Sequence, residues 1–138
     1  MKESVSLDAR MREAMSAARD FIKHRQRGDW HSVASVVLTS SGARYIGMNL
    51  DSTLPRASVC AEPVAIGMAM AADPDDTVLF CGAVNRRGEV LPPCGPCREL
   101  MLDYAPNAFV AVPDGEGMAF KPMADLMPTA YKQGRRKP

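Results

Sequence analysis

From Ser6 to about Arg27 the apolar residues fall at Leu7, Met11, Met15, Ala18, Phe21 and Ile22. Those spacings of four and three draw one stripe along an amphipathic helix, with Ser6 placed to cap it and Gly28 to end it. Val33–Thr39 is β-branched and apolar at its centre, the signature of a buried strand. Ser40-Ser41-Gly42 then reads as a turn and Ala43–Asn49 as the returning strand of a hairpin. A polar loop, Leu50–Val59, contains Pro55, and Cys60–Ala72 turns to Ala, Met, Val and Ile, a helix closed by Asp73-Pro74. Thr77–Val84 is a short apolar strand, Asn85–Glu89 a turn, and Leu91-Pro92-Pro93 leads into a helix from about Cys94 to Tyr104. Ala108–Val112 reads as another buried strand, Met118–Lys121 as a last edge strand and Met123–Met127 as a short closing helix.

A helix, a hairpin and then strand–helix units pack naturally as an α/β protein, a three-layer sandwich with helices on both sides of the sheet. Crossovers between parallel strands are right-handed, so the helices beginning at Cys60 and Cys94 should start at the same sheet edge. That edge is where open α/β sheets place ligands. The 138 residues fit one domain, taken as 1–131, with the basic stretch 132–138 expected to be a mobile tail. Charge changes the picture only by exclusion. With 17 basic and 16 acidic side chains there is no polyanion-binding excess, and no nucleic-acid partner is expected. No run of 18 apolar residues and no apolar core after Met1 point to a membrane or a secretory route, so a soluble, cytoplasmic protein is expected. The four cysteines are then ligands or reactive groups rather than disulfides.

The candidate chemistry lies in Cys60-Ala61-Glu62 and, 32 residues after Glu62, in Cys94-Gly95-Pro96-Cys97. A Cys-x-x-Cys pair at a helix start turns both sulfurs to one side of a metal ion. A third thiolate from Cys60 would leave one tetrahedral position open, which separates a catalytic zinc from a closed structural one. Zinc lowers the pKa of water held there to about 7. Glu62, two residues from Cys60, can face that water rather than the metal and carry its proton to a substrate nitrogen. Three thiolates leave the site one negative charge in excess of Zn²⁺, and two helix N-termini would offset it. Pro63 and Pro96 fall in first helical turns, where a missing N–H does least harm. The plain alternative is a closed zinc site or buried thiols. Closure would need a fourth ligand, and the spare Cys81 lies mid-strand, where it packs as a small apolar residue. Arg98 and Glu99 read as helix-surface charges, and the methionines as core or interface filler.

Both halves in order, with Pro93 before Cys94, form a zinc-deaminase signature. Through Arg56–Gly67, Pro93–Pro106 and Leu126–Tyr131 the chain resembles the cytidine deaminase family over nearly its whole length, and within it most resembles the bacterial blasticidin-S deaminases. The resemblance implies a cytidine deaminase-like fold with a five-stranded mixed sheet, one Zn²⁺ per subunit and a homotetramer. It implies hydrolytic deamination of a small cytosine nucleoside, blasticidin S-like or related, with ammonia released; cytidine or deoxycytidine is the alternative. It makes Cys60, Cys94 and Cys97 the zinc ligands and Glu62 the proton shuttle, with Asn49, Asp51, Ala61, Pro93 and His31 around the substrate. Gly47-Met48-Asn49-Leu50-Asp51 lies at the family's sugar-holding Gly-x-Asn-x-Glu segment, with Asp51 one methylene short. Family members that act on cytidine usually carry Phe at the position of His31 and Arg at that of Pro63. From the residues alone, Asn49 and Asp51 could equally cap a strand end or hold a turn, and His31 could be a hydrogen-bonded scaffold residue.

Overall fold

A computed structural model of the chain describes residues 5–25 and 27–136. Met1–Ser4, where no secretory signal is expected, and the last two residues of the basic tail lie outside them. The first helix, α1, is Leu7–His24, and the Ser6 side chain accepts from the Ala9 N–H at 3.1 Å, as a cap should. It ends at Arg25, short of the expected Arg27, with Lys23 and His24 in its last turn. The strands are β1 Val33–Thr39, β2 Arg44–Met48, β3 Val78–Asn85, β4 Phe109–Asp114 and β5 Gly117–Pro122. Helices α2, Ala61–Ala72, and α3, Gly95–Tyr104, follow β2 and β3, and short 3₁₀ turns cover Pro55–Ala57 and Met123–Leu126. β4 reaches further than expected, through Pro113 to Asp114, because the tight Gly115 turn pairs that end with Gly117 and Met118.

The five strands form one mixed sheet in the order β2-β1-β3-β4-β5. β1 runs antiparallel to both β2 and β3, β3 is parallel to β4, and β4 is antiparallel to β5. Alternation along the strands divides the core. Val36, Leu38, Phe80 and Val84 pack with Met15 and Ile22 of α1 on one face, while Val37, Cys81 and Val110 pack with Ile66 of α2 and Met101 of α3 on the other. The result is the expected three-layer arrangement. Among the described residues no helix is long and apolar enough to cross a membrane.

Topology decides where the chemistry falls. β2 and β3 both run against β1 and so run parallel to each other, which brings their C-terminal ends to the same sheet edge. α2 and α3 begin from those ends. α2 also lies very close to β2 at Gly47, where a Cβ would come within 2.7 Å of the Ala65 backbone nitrogen. Glycine there lets the helix carrying Cys60 and Glu62 sit directly against the strand.

Candidate active site

Cys60 and Cys94 are the N-caps of α2 and α3, both with extended backbone. Ser, Thr or Asp at such a position turns its side chain back onto the helix; neither cysteine makes such a bond. Their sulfurs instead meet each other at 3.7 Å, and the sulfur of Cys97, in the first turn of α3, joins them so that all three lie within 4.8 Å of one another. Two sulfurs about 2.3 Å from one tetrahedral zinc stand about 3.8 Å apart. An all-thiolate donor set at this spacing fits Zn²⁺, with a fourth position left for a non-protein ligand. Cys81, by contrast, is buried mid-strand, and burial pushes its thiol up to about 12.

The three thiols do not share one environment. Burial pushes Cys97 and Cys60 up from their ordinary value. At Cys94 burial acts in the same sense, but hydrogen bonds from the Cys97 N–H and from both neighbouring thiols outweigh it and leave that thiol lower. Glu62, the second residue of α2, is only 6% exposed. Burial lifts its carboxyl above the ordinary range, against hydrogen bonds from its own N–H and from Cys97. A carboxyl so placed is suited to holding and releasing a proton.

Cys60, Cys94 and Glu62 line a cleft of about 300 Å³, at the lower limit of small-ligand sites, while Cys97 is buried and does not line it. Its walls are largely apolar, from Val33, Leu50, Val59 and Leu91, and its polar groups apart from the thiols and Glu62 are Asn49 and Ser58. Leu91 reaches it because Asn85 organises the preceding turn: its Oδ1 accepts from the Arg87 and Glu89 N–H groups, and Leu91 N–H then donates to Ala83 O at 3.0 Å.

The sequence-derived substrate residues do not all reach this cleft. Asn49 and Ala61 line it. The Asn49 Oδ1 accepts from Ser32 N–H at 2.8 Å and Val33 N–H at 3.0 Å, which leaves its NH₂ as the group to offer a ligand. Ala61, first residue of α2, has a backbone N–H with no acceptor inside the helix. Pro93 is buried and lines only the narrow gap behind Glu62. Asp51 is exposed and turned into its own loop, where Oδ1 accepts from Ser52 N–H at 3.0 Å and from the Ser58 hydroxyl at 3.1 Å. His31 is half-buried, with Nδ1 donating to Asn49 O at 2.9 Å, and it does not line the cleft.

Two arginines carry work that the sequence did not signal. Arg98, expected as a surface charge, donates through Nε to Pro93 O at 2.8 Å and through Nη1 to Leu126 O at 3.0 Å. It thereby ties the peptide before Cys94 to the last 3₁₀ turn. Arg135, in the stretch expected to be mobile, pairs with Glu99 at 2.6 Å and Asp103 at 3.0 Å on α3. A helical position after Cys-x-x-Cys looks solvent-facing in a linear sequence, and nothing in a polar tail marks one arginine as anchored.

Comparison with known proteins accords with this geometry. The model of the cytidine and deoxycytidylate deaminase zinc-binding region matches residues 8–112. The chain is 29% identical over 126 residues to a blasticidin-S deaminase of Bacillus cereus, covering 86% of this chain and 90% of that one. It is 25% identical over 100 residues to a cytidine deaminase of Mycobacterium tuberculosis, covering 72% of each. The crystal structure of the Bacillus anthracis cytidine deaminase shares its fold, with a TM-score of 0.73 at 23% identity over 89% of this chain and 90% of that one.

Proposed function

The chain belongs to the family of zinc-dependent cytidine and deoxycytidylate deaminases, and from that premise we propose that it hydrolyses the 4-amino group of a free cytosine nucleoside of the blasticidin S type. The observation that carries this reading is the meeting of three thiols within 4.8 Å of one another at a cleft of about 300 Å³ that Cys60, Cys94 and the buried Glu62 line. Relatives named for blasticidin S and for cytidine both lie within range. The longer blasticidin alignment and the departures at His31, Asp51 and Pro63 favour blasticidin S, with cytidine or deoxycytidine as the second reading.

Cys60, Cys94 and Cys97 would hold one Zn²⁺ per subunit. When bound, the metal supplies a Lewis acid that makes water nucleophilic at neutral pH. Glu62 takes a proton from the attacking water and delivers it to ring N3, while the water oxygen bonds to C4. The remaining hydroxyl proton then passes through Glu62 to the amino nitrogen as the C4–N bond breaks. Water and the amine leave as a ring carbonyl and ammonia, with no net proton consumed. The Ala61 N–H donates to the ring oxygen O2, and the Asn49 NH₂ donates to a sugar oxygen. Pro93 closes the wall behind Glu62. Asp51 and His31 act at one remove, through the loop and through Asn49.

We take the working form to be a cytoplasmic homotetramer, as the resemblance implies. Leu54 at 68% exposure and Met68 at 43% are apolar enough to support a subunit contact. Loss of the cytosine ultraviolet band with zinc-loaded protein, run in parallel on blasticidin S and cytidine, tests the assignment. Glu62→Gln should abolish that loss while zinc content and the unfolding midpoint survive. Activity persisting in that variant would remove the proton-shuttle role, and turnover of cytidine alone would decide for the second reading.

A further inference from the structure

Asn49 is held by one short segment of chain. Besides the two bonds that its Oδ1 accepts from Ser32 and Val33, its backbone N–H donates to Val33 O at 3.1 Å, and its carbonyl accepts from His31 Nδ1 at 2.9 Å. Backbone N–H groups can meet only the amide oxygen, so the orientation of the Asn49 amide is fixed, and its NH₂ is the group left to a ligand in a residue that lines the cleft. The segment from Gly28 to Ser32 precedes β1 and has no strand partner of its own. It is held from the other side by Arg86, in the turn after β3. Arg86 Nε donates to His31 O at 2.8 Å, Nη2 donates to Gly28 O, and Nη1 lies 3.8 Å from Asp29. A guanidinium is suited to this because its donors form a rigid fork that can satisfy two carbonyls at once.

We propose that Arg86, acting through His31, is a positioning residue that fixes Asn49 against the substrate. The inference rests on the reading of Asn49 as a substrate contact. Arg86 touches neither substrate nor metal ligand; it sets the segment, the imidazole sets the Asn49 carbonyl, and the Asn49 amide follows. Binding then depends on a residue in a turn that a linear reading would leave as loop.

The test uses zinc-loaded full chain with cytidine and blasticidin S as probes, comparing Asn49→Ala, His31→Phe, His31→Asn, Arg86→Met and Arg86→Lys. Asn49→Ala should raise KM about tenfold. His31→Phe and Arg86→Met should each raise it about three- to tenfold, the usual effect of one lost hydrogen bond, with kcat within about twofold. His31→Asn places an amide N–H where Nδ1 stood and should restore the wild-type KM, while Arg86→Lys, which can satisfy one carbonyl but not two, should fall between. On the Asn49→Ala background His31→Phe should add nothing. Hydrogen exchange at the Ser32 and Val33 amides should quicken in Arg86→Met, a readout independent of turnover. If Asn49→Ala raises KM while His31→Phe and Arg86→Met leave it unchanged, or if their effects add to it in full, the positioning role is overturned. Asn49→Ala without effect would instead overturn the substrate-contact reading, and the inference with it.

Discussion

The Cys60 and Cys94 sulfurs stand 3.7 Å apart across 34 residues of chain, each at the cap of a different helix. Nothing local holds them together: α2 and α3 meet there only because β2 and β3 are parallel strands on either side of β1. A cation shared between them therefore joins two crossover units, and its binding free energy adds to folding. Removing zinc with a chelator should lower the unfolding midpoint by several degrees and abolish deamination, with both restored by added Zn²⁺. Cys94→Ser should lose most of the bound metal by elemental analysis, whereas Cys81→Ala should retain it.

The cleft also discriminates by what its walls omit. Among the described residues that line it, none is Lys or Arg. A nucleotide would bring a doubly charged phosphate to a largely apolar mouth with no cation to meet it. Cytidine 5′-monophosphate and its deoxy form should show kcat/KM lower than the matching nucleosides by a factor on the order of 10² or more. Comparable values for nucleotide and nucleoside would show that the phosphate is met by a group outside these walls.

Gly47→Ala should damage the site from a distance. The added Cβ would lie 2.7 Å from Ala65 N and 2.9 Å from Val64 Cγ1. The first of these is helix backbone and cannot rotate away, so α2 itself must move. Overpacking of this kind costs roughly 1–3 kcal/mol, or about 5–10 °C in the midpoint for a domain of this size. Activity should fall further than stability, because the displaced helix carries Cys60 and Glu62. Thermal unfolding followed alongside steady-state turnover separates the two effects.

How much of this was legible in the sequence follows from how local each cause is. The stripe from Leu7 to Ile22, the continuous apolar run of β1 and the cysteines at two helix starts are local patterns, and these elements lie where their patterns placed them to within a few residues at the ends. The joining of Cys60 to Cys94 was legible too, because strand order and crossover handedness follow from few rules. Arg86, Arg98 and Arg135 act across 55, 28 and 36 residues respectively, on His31, Leu126 and Glu99, and no spacing announces such pairs. Asp51 was drawn toward the sugar by its place in a motif. The competing partner, Ser58, is seven residues on and became visible only once Leu50 and Val59 closed the loop.

Asp76 supplies a pH-dependent clasp away from the site. Its carboxylate accepts from the Ser41 hydroxyl at 2.6 Å, the Ser40 hydroxyl at 2.9 Å and the Ser41 N–H at 3.0 Å, fastening the β1–β2 turn to the loop after α2. Those donors, Ser41 foremost, hold it down to about 2 from an ordinary 3.8. The folded state thus binds fewer protons than the unfolded one between those values. The stabilisation is complete above about 3.8 and is lost as the pH falls toward 2. Asp76→Asn should lower the unfolding midpoint by a few degrees at pH 7, and the gap from wild type should narrow through that window. A gap unchanged from pH 6 to pH 3 would show that the carboxylate charge contributes nothing there.

Arg98 clasps the chain next to the thiols, as Asp76 does away from them. Its two donors satisfy the carbonyls of Pro93 and Leu126, at 2.8 and 3.0 Å, from a half-buried position directly after Cys97. Hydrogen bonds from a charged donor contribute about 1.5–3 kcal/mol, and here they also fix the peptide that delivers Cys94. Arg98→Met keeps most of the stem and removes both bonds, each of that size, so it should lower stability by about 3 kcal/mol or more. The telling readout is metal retention. With the Pro93–Cys94 peptide freed, zinc transfer to a chromogenic chelator should speed up about tenfold or more, on the scale of losing a supporting contact around a metal site. Arg98→Lys can bond one carbonyl but not two and should fall between. Equal stability loss with unchanged zinc release would place Arg98 in the fold alone and leave Cys94 held by α3 itself.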